Sequence, residues 1–192
     1  MDIIANYTPR GASLNSSMYG AGAEYALHSL LTLATRPEPV SVRDLATYQK
    51  IPERFLAKIF TRLKKAKLVV GIEGISGGFA LARPANEILV MEVLAAVDPD
   101  RTLFACAEIR SKCALFDATA PGWATAGTCR IHAFMLDAER VLQAFLASKS
   151  LADLVCEFES KAPKKFIQET GAWFQQRKTS RVPKNRSANT AE

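Results

Sequence analysis

Apolar side chains recur at helical spacing in two short segments between residues 41 and 65. Ser41, with Asp44 three residues later, predicts the start of the first helix, because a hydroxyl and a carboxylate can accept bonds from the free N–H groups of a first turn. Pro52 predicts the start of the second helix, since a first turn does not need its missing N–H group. The second helix has one apolar stripe, which consists of Phe55, Leu56, Ile59, Phe60 and Leu63. Such a stripe is typical of a helix packed on a core through one face.

A β-hairpin is predicted directly after this second helix. Residues 68–72 and 78–82 have the composition of strands, and residues 73–77 between them contain the glycines that a tight bend needs. The order helix, turn, helix, hairpin is that of a winged helix-turn-helix, in which the second helix enters the major groove of DNA and the hairpin lies beside it. The predicted fold class is therefore mainly α with a small β wing.

Basic side chains crowd the second helix and its surroundings. Residues 50–67 contain seven basic residues and one acidic residue, Glu53. A basic amphipathic helix alone is more often just a solvated face, so the prediction of DNA binding depends on its combination with the hairpin. The expected phosphate contacts are Lys50, Lys58, Arg62, Lys64 and Lys65, and the expected base contacts are Arg54 and Thr61.

Three further helices are predicted around this unit. Residues 22–35 form an apolar stripe that ends before Pro37, and residues 86–97 form another that ends at Asp98. A longer helix opens at Cys129. Its nearly heptad stripe consists of Ile131, Phe134, Met135, Ala138, Val141, Leu142, Phe145 and Leu146. A stripe of this length needs a partner helix; a second copy of the chain would supply it, and packing against the chain's own core is the alternative.

These segments divide the chain into five parts. Residues 1–17 lack periodicity and are predicted to be a mobile leader. The winged helix-turn-helix takes residues 18–99, and an irregular, cysteine-bearing loop takes residues 100–128. The long dimerisation helix and a C-terminal cap occupy residues 129–158. Residues 159–192 are predicted to be a basic, largely disordered tail, of which the part that carries Phe166, Ile167, Trp173 and Phe174 is expected either to stay disordered or to dock or form a transient helix.

The overall composition narrows the class of protein. With 48% hydrophobic and 23% charged residues, the chain is typical of a globular protein. The net charge of +6 comes wholly from the end of the chain, where eight basic and two acidic residues follow residue 160. No apolar run approaches the roughly 18 residues of a membrane span, and no signal peptide stands at the start, so a cytoplasmic protein is expected. No nucleophile–base pair or nucleotide-binding loop stands out, which argues against an enzyme.

Several side chains could bind a metal. Four cysteines without an export signal favour thiols or metal ligands over disulfides. Three of them are spaced Cys106-x6-Cys113-x15-Cys129, at the two ends and within the irregular loop. Glu24 and His28 are four residues apart, which places both on one face of the first helix, as a chelating pair requires. For that pair, a polar helix edge without a ligand is the alternative.

The chain resembles a known family over residues 19–155. The resembling segments are GAEYALHSLLTLA, FLAKIFTRLKKAKLV, GGFALARP, the cysteine-bearing loop and SLADLV. They look like those of the IscR/NsrR-type (Rrf-type) winged-helix regulators. The resemblance implies a homodimeric, sequence-specific transcription factor, often a repressor, whose binding to double-stranded DNA is set by an iron–sulfur cluster or by thiol chemistry.

Three features depart from that family's pattern. Lys67 stands where many relatives have glycine after the second helix, so this helix end must differ or carry strain. The wing tip offers Glu73 and Ile75 instead of basic residues, which weakens the expectation of a minor-groove contact. The cysteine spacing is also wider than the compact pattern of the best-known cluster-binding members.

One branch of the family suggests a ligand set. By resemblance to that branch, Glu24 and His28 of one subunit would bind one iron of a [2Fe–2S] cluster, and Cys106 and Cys129 of the other subunit would bind the second iron. Histidine can replace cysteine on one iron of such a cluster.

The roles of the remaining candidates stay open. Cys113 is a third ligand of a [4Fe–4S] cluster, a redox thiol or a spectator, and His132 is a substitute nitrogen ligand. Cys156 lies in an apolar helical end and is expected to be structural. Two other functions compete with the cluster-sensing regulator. One is a regulator without metal, in which Cys106 and Cys113 form a thiol switch; the other is an iron–sulfur electron carrier with a vestigial winged domain.

Overall fold

The computed structural model describes residues 18–116 and 119–181. The predicted leader and the last eleven residues of the predicted tail lie outside these ranges. The helices are α1 (Ala21–Ala34), α2 (Val42–Gln49), α3 (Glu53–Lys65), α4 (Val90–Val97), α5 (Gly122–Thr125), α6 (Arg130–Ala147), α7 (Leu151–Lys161) and α8 (Lys164–Thr179), and the strands are β1 (Val69–Ile72) and β2 (Gly78–Leu81). The predicted fold class, mainly α with a small β wing, is confirmed.

Local chemistry fixes the two helices of the helix-turn-helix. The Ser41 hydroxyl caps α2 by accepting a hydrogen bond from the Asp44 N–H at 3.1 Å. Pro52 immediately precedes α3, as the sequence predicts. The buried face of α3 consists of Leu56, Ile59, Phe60 and Leu63. These side chains join one hydrophobic core with residues of α1, α2, β1 and α4, so the orientation of α3 is set by burial of a continuous apolar surface.

The wing is an antiparallel hairpin fastened to the linker before α2. Its strands pair from Val69 opposite Leu81 to Ile72 opposite Gly78. Val40 extends the pairing, since its N–H and carbonyl both bond to the backbone of Phe79, at 2.9 and 2.8 Å. A side chain at Gly78 would meet the Val40 carbonyl carbon at 2.5 Å, so only glycine permits this close approach. The hairpin is thereby held against the start of α2.

The end of α3 carries the backbone strain that its sequence predicts. Lys67 has a φ of 58°, in the left-handed region where side chains are disfavoured. Replacing Lys67 with glycine is expected to raise the free energy of unfolding by about 0.5–1 kcal/mol, because relief of strain exceeds the added entropy of the unfolded chain. Urea denaturation would measure it. The matched control, Lys58→Gly within α3, should lower the free energy of unfolding by about 1 kcal/mol. If both glycine variants lose the same stability, Lys67 is not strained.

Helix α4 starts later than predicted. The sequence pattern places it over residues 86–97, whereas the structure has a short 3₁₀ turn at Ala85–Glu87 and begins the α-helix at Val90. Between them, Leu89 is extended and pairs with Ser150 before α7. The Leu89 N–H also donates to the Glu92 carboxylate at 2.8 Å. The backbone is therefore used to tie α4 to the α6–α7 corner instead of continuing a helix.

The end of the chain differs most from its prediction. A largely disordered tail is predicted from residue 159, but α7 continues to Lys161 and α8 occupies Lys164–Thr179. Of the two expectations for the apolar part of the tail, docking fits the structure and disorder does not, because Phe174 joins the main hydrophobic core and is only 7% exposed. Cys156, predicted to be structural, is exposed on α7. Within the described part of the chain, no helix combines the length and the apolar character that a bilayer crossing demands.

Candidate nucleic-acid interface and metal centre

Helix α3 presents a cationic face opposite to its buried face. Arg54, Lys58, Thr61 and Lys65 are all exposed and recur at intervals of three or four residues. This spacing puts them on one side of the helix, directly away from Leu56 and Leu63. The Thr61 hydroxyl donates to the Ala57 carbonyl at 2.9 Å, so its oxygen lone pairs face outward as acceptors. The face can meet both phosphates and base edges.

The other predicted DNA contacts lie on the flanks of this face. The Arg62 Nη1 donates to the Val97 carbonyl at 2.5 Å, which ties α3 to the end of α4. Lys64 points towards the wing, where its Nζ lies 3.6 Å from the position that a Cβ would take at Gly71. Lys50 ends α2 with a φ of 55° and is exposed beside the N-terminus of α3. Arg62 therefore has a structural contact that the sequence pattern does not reveal.

The tip of the wing carries no cation. Residues 73–77 connect the two strands, and the side chains of Glu73 and Ile75 are both exposed, Ile75 by 62%. A carboxylate at this point repels the DNA backbone. The wing itself therefore offers little attraction for a phosphate.

The irregular loop brings Cys106 and Cys129 towards one arginine. The Arg110 guanidinium lies among loop carbonyls and donates to the Gly127 carbonyl at 3.0 Å. It is also bound by the Glu108 carboxylate, through Nε at 2.5 Å. The pKa of Arg110 is raised, chiefly by the hydrogen bond to Glu108, with added attraction from the thiolates of Cys129 and Cys106. Both sulfurs therefore lie within the electrostatic reach of one cation.

The surroundings of Cys129 favour the thiolate form of its side chain. It stands at the N-terminus of α6, and its pKa is lowered because the backbone N–H groups of His132 and Ile131 donate to the sulfur. The nearby Arg110 guanidinium lowers the pKa further, against an opposing contribution from Glu108. A thiolate is the form that binds metals and attacks electrophiles. The position of Cys129 therefore suits either a ligand or a reactive thiol.

The two secondary candidates, His132 and Cys113, differ in setting. His132 is one turn into α6 and packs near Phe104, with ring centroids 6.1 Å apart. Cys113 follows the short 3₁₀ turn of the loop and is exposed. His132 is therefore partly buried beside an aromatic ring, whereas Cys113 faces solvent.

Glu24 and His28 form a separate pair. Both are exposed on α1, whose opposite face is buried. Within residues 18–116 and 119–181 of one chain, no group of three or more histidine, cysteine or acidic side chains comes together in a geometry that could hold a metal ion. The two-subunit site, with Glu24 and His28 from one chain and Cys106 and Cys129 from the other, is what the family resemblance implies. The ligand assignment stays a prediction.

Helix α6 leaves one apolar face open to solvent. Its inner face packs on α4, where Leu146 contacts Val90 and Leu94. A second apolar stripe points away from the chain. The exposed fractions along it are 66% at Ile131, 70% at Phe134, 72% at Val141 and 59% at Phe145. Four large apolar side chains in heptad spacing form an unusual solvent-facing surface.

The comparison with protein families decides the class of this chain. Residues 19–157 match the model of Rrf2, described as an iron-dependent transcriptional regulator. The chain belongs to the Rrf2 family. The predicted resemblance is confirmed, and the family consists of transcriptional regulators, not enzymes. The match covers α1 to most of α7 and leaves out α8.

Curated relatives agree with the Rrf2 assignment. The HTH-type transcriptional regulator IscR of Photorhabdus laumondii is 33% identical over 133 residues, which are 68% of this chain and 74% of that protein. A provisionally named HTH-type transcriptional regulator of Mycobacterium tuberculosis, Rv1287, is 42% identical over 80 residues, or 41% of this chain. That alignment spans only 50% of the mycobacterial protein.

Solved structures show the same Rrf2 fold. The global cysteine regulator CymR of B. subtilis superposes with a TM-score of 0.57 at 18% identity, covering 72% of this chain and 95% of that one. T. potens IscR superposes with a TM-score of 0.56 at 21% identity, covering 78% and 94%. At these identities the likeness concerns the fold alone.

Two features of this Rrf2 chain are absent from the sequence-based prediction. Glu108 and Arg110 lie between the cysteines, and their spacing of two residues gives no helical or metal-binding signal. The contact between α8 and α2 joins residues more than 120 positions apart, as in the Tyr48–Thr170 hydrogen bond. No local pattern points to either contact.

Proposed function

We propose that this Rrf2 protein is a homodimeric transcriptional repressor that binds double-stranded DNA through α3 and senses redox or iron–sulfur status through a [2Fe–2S] cluster. The observation that carries the DNA-binding part is the cationic face of α3, directed away from the core. In a winged helix-turn-helix the second helix enters the major groove. Lys58 and Lys65 would contact phosphates there, and Arg54 and Thr61 would contact bases.

The open stripe of α6 supports the homodimer. Burying four large apolar side chains against the same stripe of a second chain would remove each from water, at about 1.5–3 kcal/mol per side chain. A two-fold axis makes such a surface self-complementary. Dimers of this fold class read two half-sites about 34 Å apart, so a small change between subunits alters affinity strongly.

The chemistry of the loop fits an iron–sulfur cluster. Cys129 is poised as a thiolate, Cys106 lies near the same Arg110, and the arginine offsets the negative charge that thiolates accumulate. Glu24 and His28 of the second subunit would complete the set. When bound, the cluster would supply a redox-active or labile link between subunits. A [4Fe–4S] cluster that also uses Cys113, or His132 as a nitrogen ligand, is the variant of this proposal.

A second candidate function is a regulator with a thiol switch and no metal. The lowered pKa of Cys129 favours it, because a thiolate reacts readily with oxidants. Cys113 is exposed and lies in the same loop, so it can exchange with other thiols. Anaerobic isolation separates the two functions: iron and sulfide in the protein support the cluster, and metal-free protein with oxidant-sensitive DNA binding supports the switch.

Salt dependence tests the proposed DNA contacts. The wild-type protein would first select a duplex from a random-sequence library, and its affinity would then be measured at several salt concentrations. Lys58→Gln should reduce the slope of log affinity against log salt by about 0.9, because one phosphate contact is lost. The matched control, Lys161→Gln on α7, removes the same charge away from α3 and should leave the slope unchanged. Failure to enrich any duplex would refute DNA binding.

A further inference from the structure

Helix α8 lies outside the Rrf2 match and is anchored to the helix-turn-helix. Phe174 is buried against Tyr48 of α2, with ring centroids 5.0 Å apart. The Arg36 guanidinium stacks 4.2 Å from the centre of the Phe174 ring. The Tyr48 and Thr170 hydroxyls are hydrogen-bonded at 3.1 Å. The buried aromatic contacts and the partly buried Tyr48–Thr170 hydrogen bond together fix the position of α8 on α2.

The C-terminal end of α8 is bound to the first turn of α2 by charge. Asp44 is only 4% exposed. Its carboxylate is paired with Arg177 at 3.0 Å and also with Arg181. Arg181 further donates to the Ser41 hydroxyl at 2.8 Å, and Lys178 pairs with Glu38 at 2.5 Å. Because the buried Asp44 carboxylate has two arginine partners, its negative charge is compensated at this surface.

These contacts form a cleft beside the wing. A cavity of about 280 Å³ lies between the start of α2, the wing residues Ser76 and Gly77, and the end of α8. Without α8, the charged side chains that line it are one cation, Arg36, and two carboxylates, Glu38 and Asp44. The C-terminal end of α8 and the residues directly after it add two cations to the lining, Lys178 and Arg181, and Arg177 pairs with the lining carboxylate of Asp44. The local charge therefore changes from negative to positive.

This cleft lies where a DNA backbone would pass. In a helix-turn-helix the first helix crosses the sugar–phosphate backbone while the second occupies the groove. Ser41 and Gly77 belong to the start of that first helix and to the wing, the two elements that flank α3. The wing tip has no cation of its own among residues 73–77. The end of α8 supplies positive charge at the place where the wing lacks it.

We propose that the C-terminal end of α8 is an additional phosphate-binding element for duplex DNA, with Lys178 as the contacting cation and Arg177 and Arg181 as the groups that neutralise Asp44. This inference rests on the DNA binding proposed above. Lys178 is the suitable contact because its partner Glu38 is a half-exposed carboxylate, with 49% side-chain exposure. The Lys178 side chain is itself 27% exposed, so the pair is partly open to solvent, and a partly exposed pair is weak and can exchange with a phosphate oxygen.

The same helix provides a matched control. Lys165 and Glu169 form a second lysine–glutamate pair, at 3.8 Å, near the opposite end of α8. Lys178 is thirteen positions after Lys165 in the same helix, or roughly 20 Å along the axis. That distance exceeds the screening length of about 10 Å at 0.1 M salt. Removing one positive charge at either end of α8 changes the net charge equally. A loss of DNA affinity at Lys178 but not at Lys165 would therefore indicate a local phosphate contact and not a general effect of net charge.

The test compares four single variants of the full chain on the selected duplex. Lys178→Gln should weaken binding about three- to tenfold at 0.1 M salt and reduce the salt slope by about 0.9. Glu38→Gln should strengthen binding by a similar factor, since it releases Lys178 and removes a repelling carboxylate. Lys165→Gln and Glu169→Gln should both match the wild type. Thermal unfolding of each variant would establish that the fold is kept.

The outcomes distinguish this inference from the proposed function. If Lys58→Gln reduces the slope while Lys178→Gln behaves like Lys165→Gln, the DNA-binding function stands and the role of α8 is overturned. If Lys178→Gln and Lys165→Gln weaken binding equally, the effect is net charge and the inference is again overturned. If the wild type enriches no duplex at all, the proposed function itself fails, and the inference fails with it.

Discussion

Replacing Phe134 with glutamate is expected to convert the proposed dimer into folded monomers. Phe134 is 70% exposed in the single chain and is the second of the four large apolar side chains along the open stripe of α6. An unpaired carboxylate buried in an apolar interface costs several kcal/mol, and about 1.4 kcal/mol corresponds to a tenfold change in affinity. The dimer dissociation constant should therefore rise by about 100-fold or more. Sedimentation equilibrium measures that constant directly.

The control for this substitution lies on the same helix. Ala147 is exposed on the side of α6 away from the stripe, so Ala147→Glu introduces the same residue without entering the proposed interface. It should remain dimeric, and both variants should keep the helical circular dichroism of the wild type. A wild-type protein that sediments as a monomer, or a Phe134→Glu protein as dimeric as Ala147→Glu, would contradict the assignment of this surface.

The second large effect is expected from dividing the proposed ligands between two kinds of subunit. One subunit would carry Glu24→Ala and His28→Ala, and the other Cys106→Ala and Cys129→Ala. If each cluster uses Glu24 and His28 of one subunit with the two cysteines of the other, a mixed dimer keeps one complete ligand set and loses the other. Each homodimer of either variant keeps none. Iron, sulfide and visible absorption should thus be near half of the wild-type level in the mixed dimer and near zero in both parents.

Other ligand arrangements give different results. If all ligands came from one chain, no set would be complete in the mixed dimer, and iron would fall to zero. If only the cysteines hold iron, the Glu24→Ala and His28→Ala parent would retain it fully. Cys156→Ser is the matched control, because Cys156 is a cysteine exposed on α7 outside the loop; it should leave iron content unchanged. A wild-type protein without iron whose DNA binding responds to oxidants would support the thiol switch instead.

The helix-turn-helix was accessible to prediction because its signals are local. A cap at Ser41, a proline before α3 and an apolar stripe each act within a few residues, and the structure agrees with them. The strain at Lys67 belongs to the same class, since a missing glycine at a helix end is visible in sequence and appears as a positive φ. The ends of helices were harder to predict from sequence. Helix α4, for example, begins at Val90 because Leu89 pairs with the distant Ser150.

The candidate metal site could be predicted only in part. Resemblance suggested the four candidate ligands, and residue spacing suggested the pairing of Glu24 with His28; both stay predictions. The surroundings of the thiols come from folding: Arg110 approaches both Cys106 and Cys129, and the start of α6 turns two N–H groups towards Cys129. Charge state depends on such three-dimensional contacts, which residue spacing in an irregular loop does not encode.

By itself the sequence determined the class of fold, the basic helix and the presence of an apolar repeat in α6, since each follows from periodicity and from short-range backbone chemistry. The tertiary structure decided which of those surfaces remain open. It buried one side of α6 on α4 and exposed the other, engaged Arg62 with α4, and docked α8 on the core, where the sequence predicts a largely disordered tail with at most a docked or transiently helical part. The physical reason is that burial and ion pairing join residues far apart in the chain, such as Asp44 and Arg177.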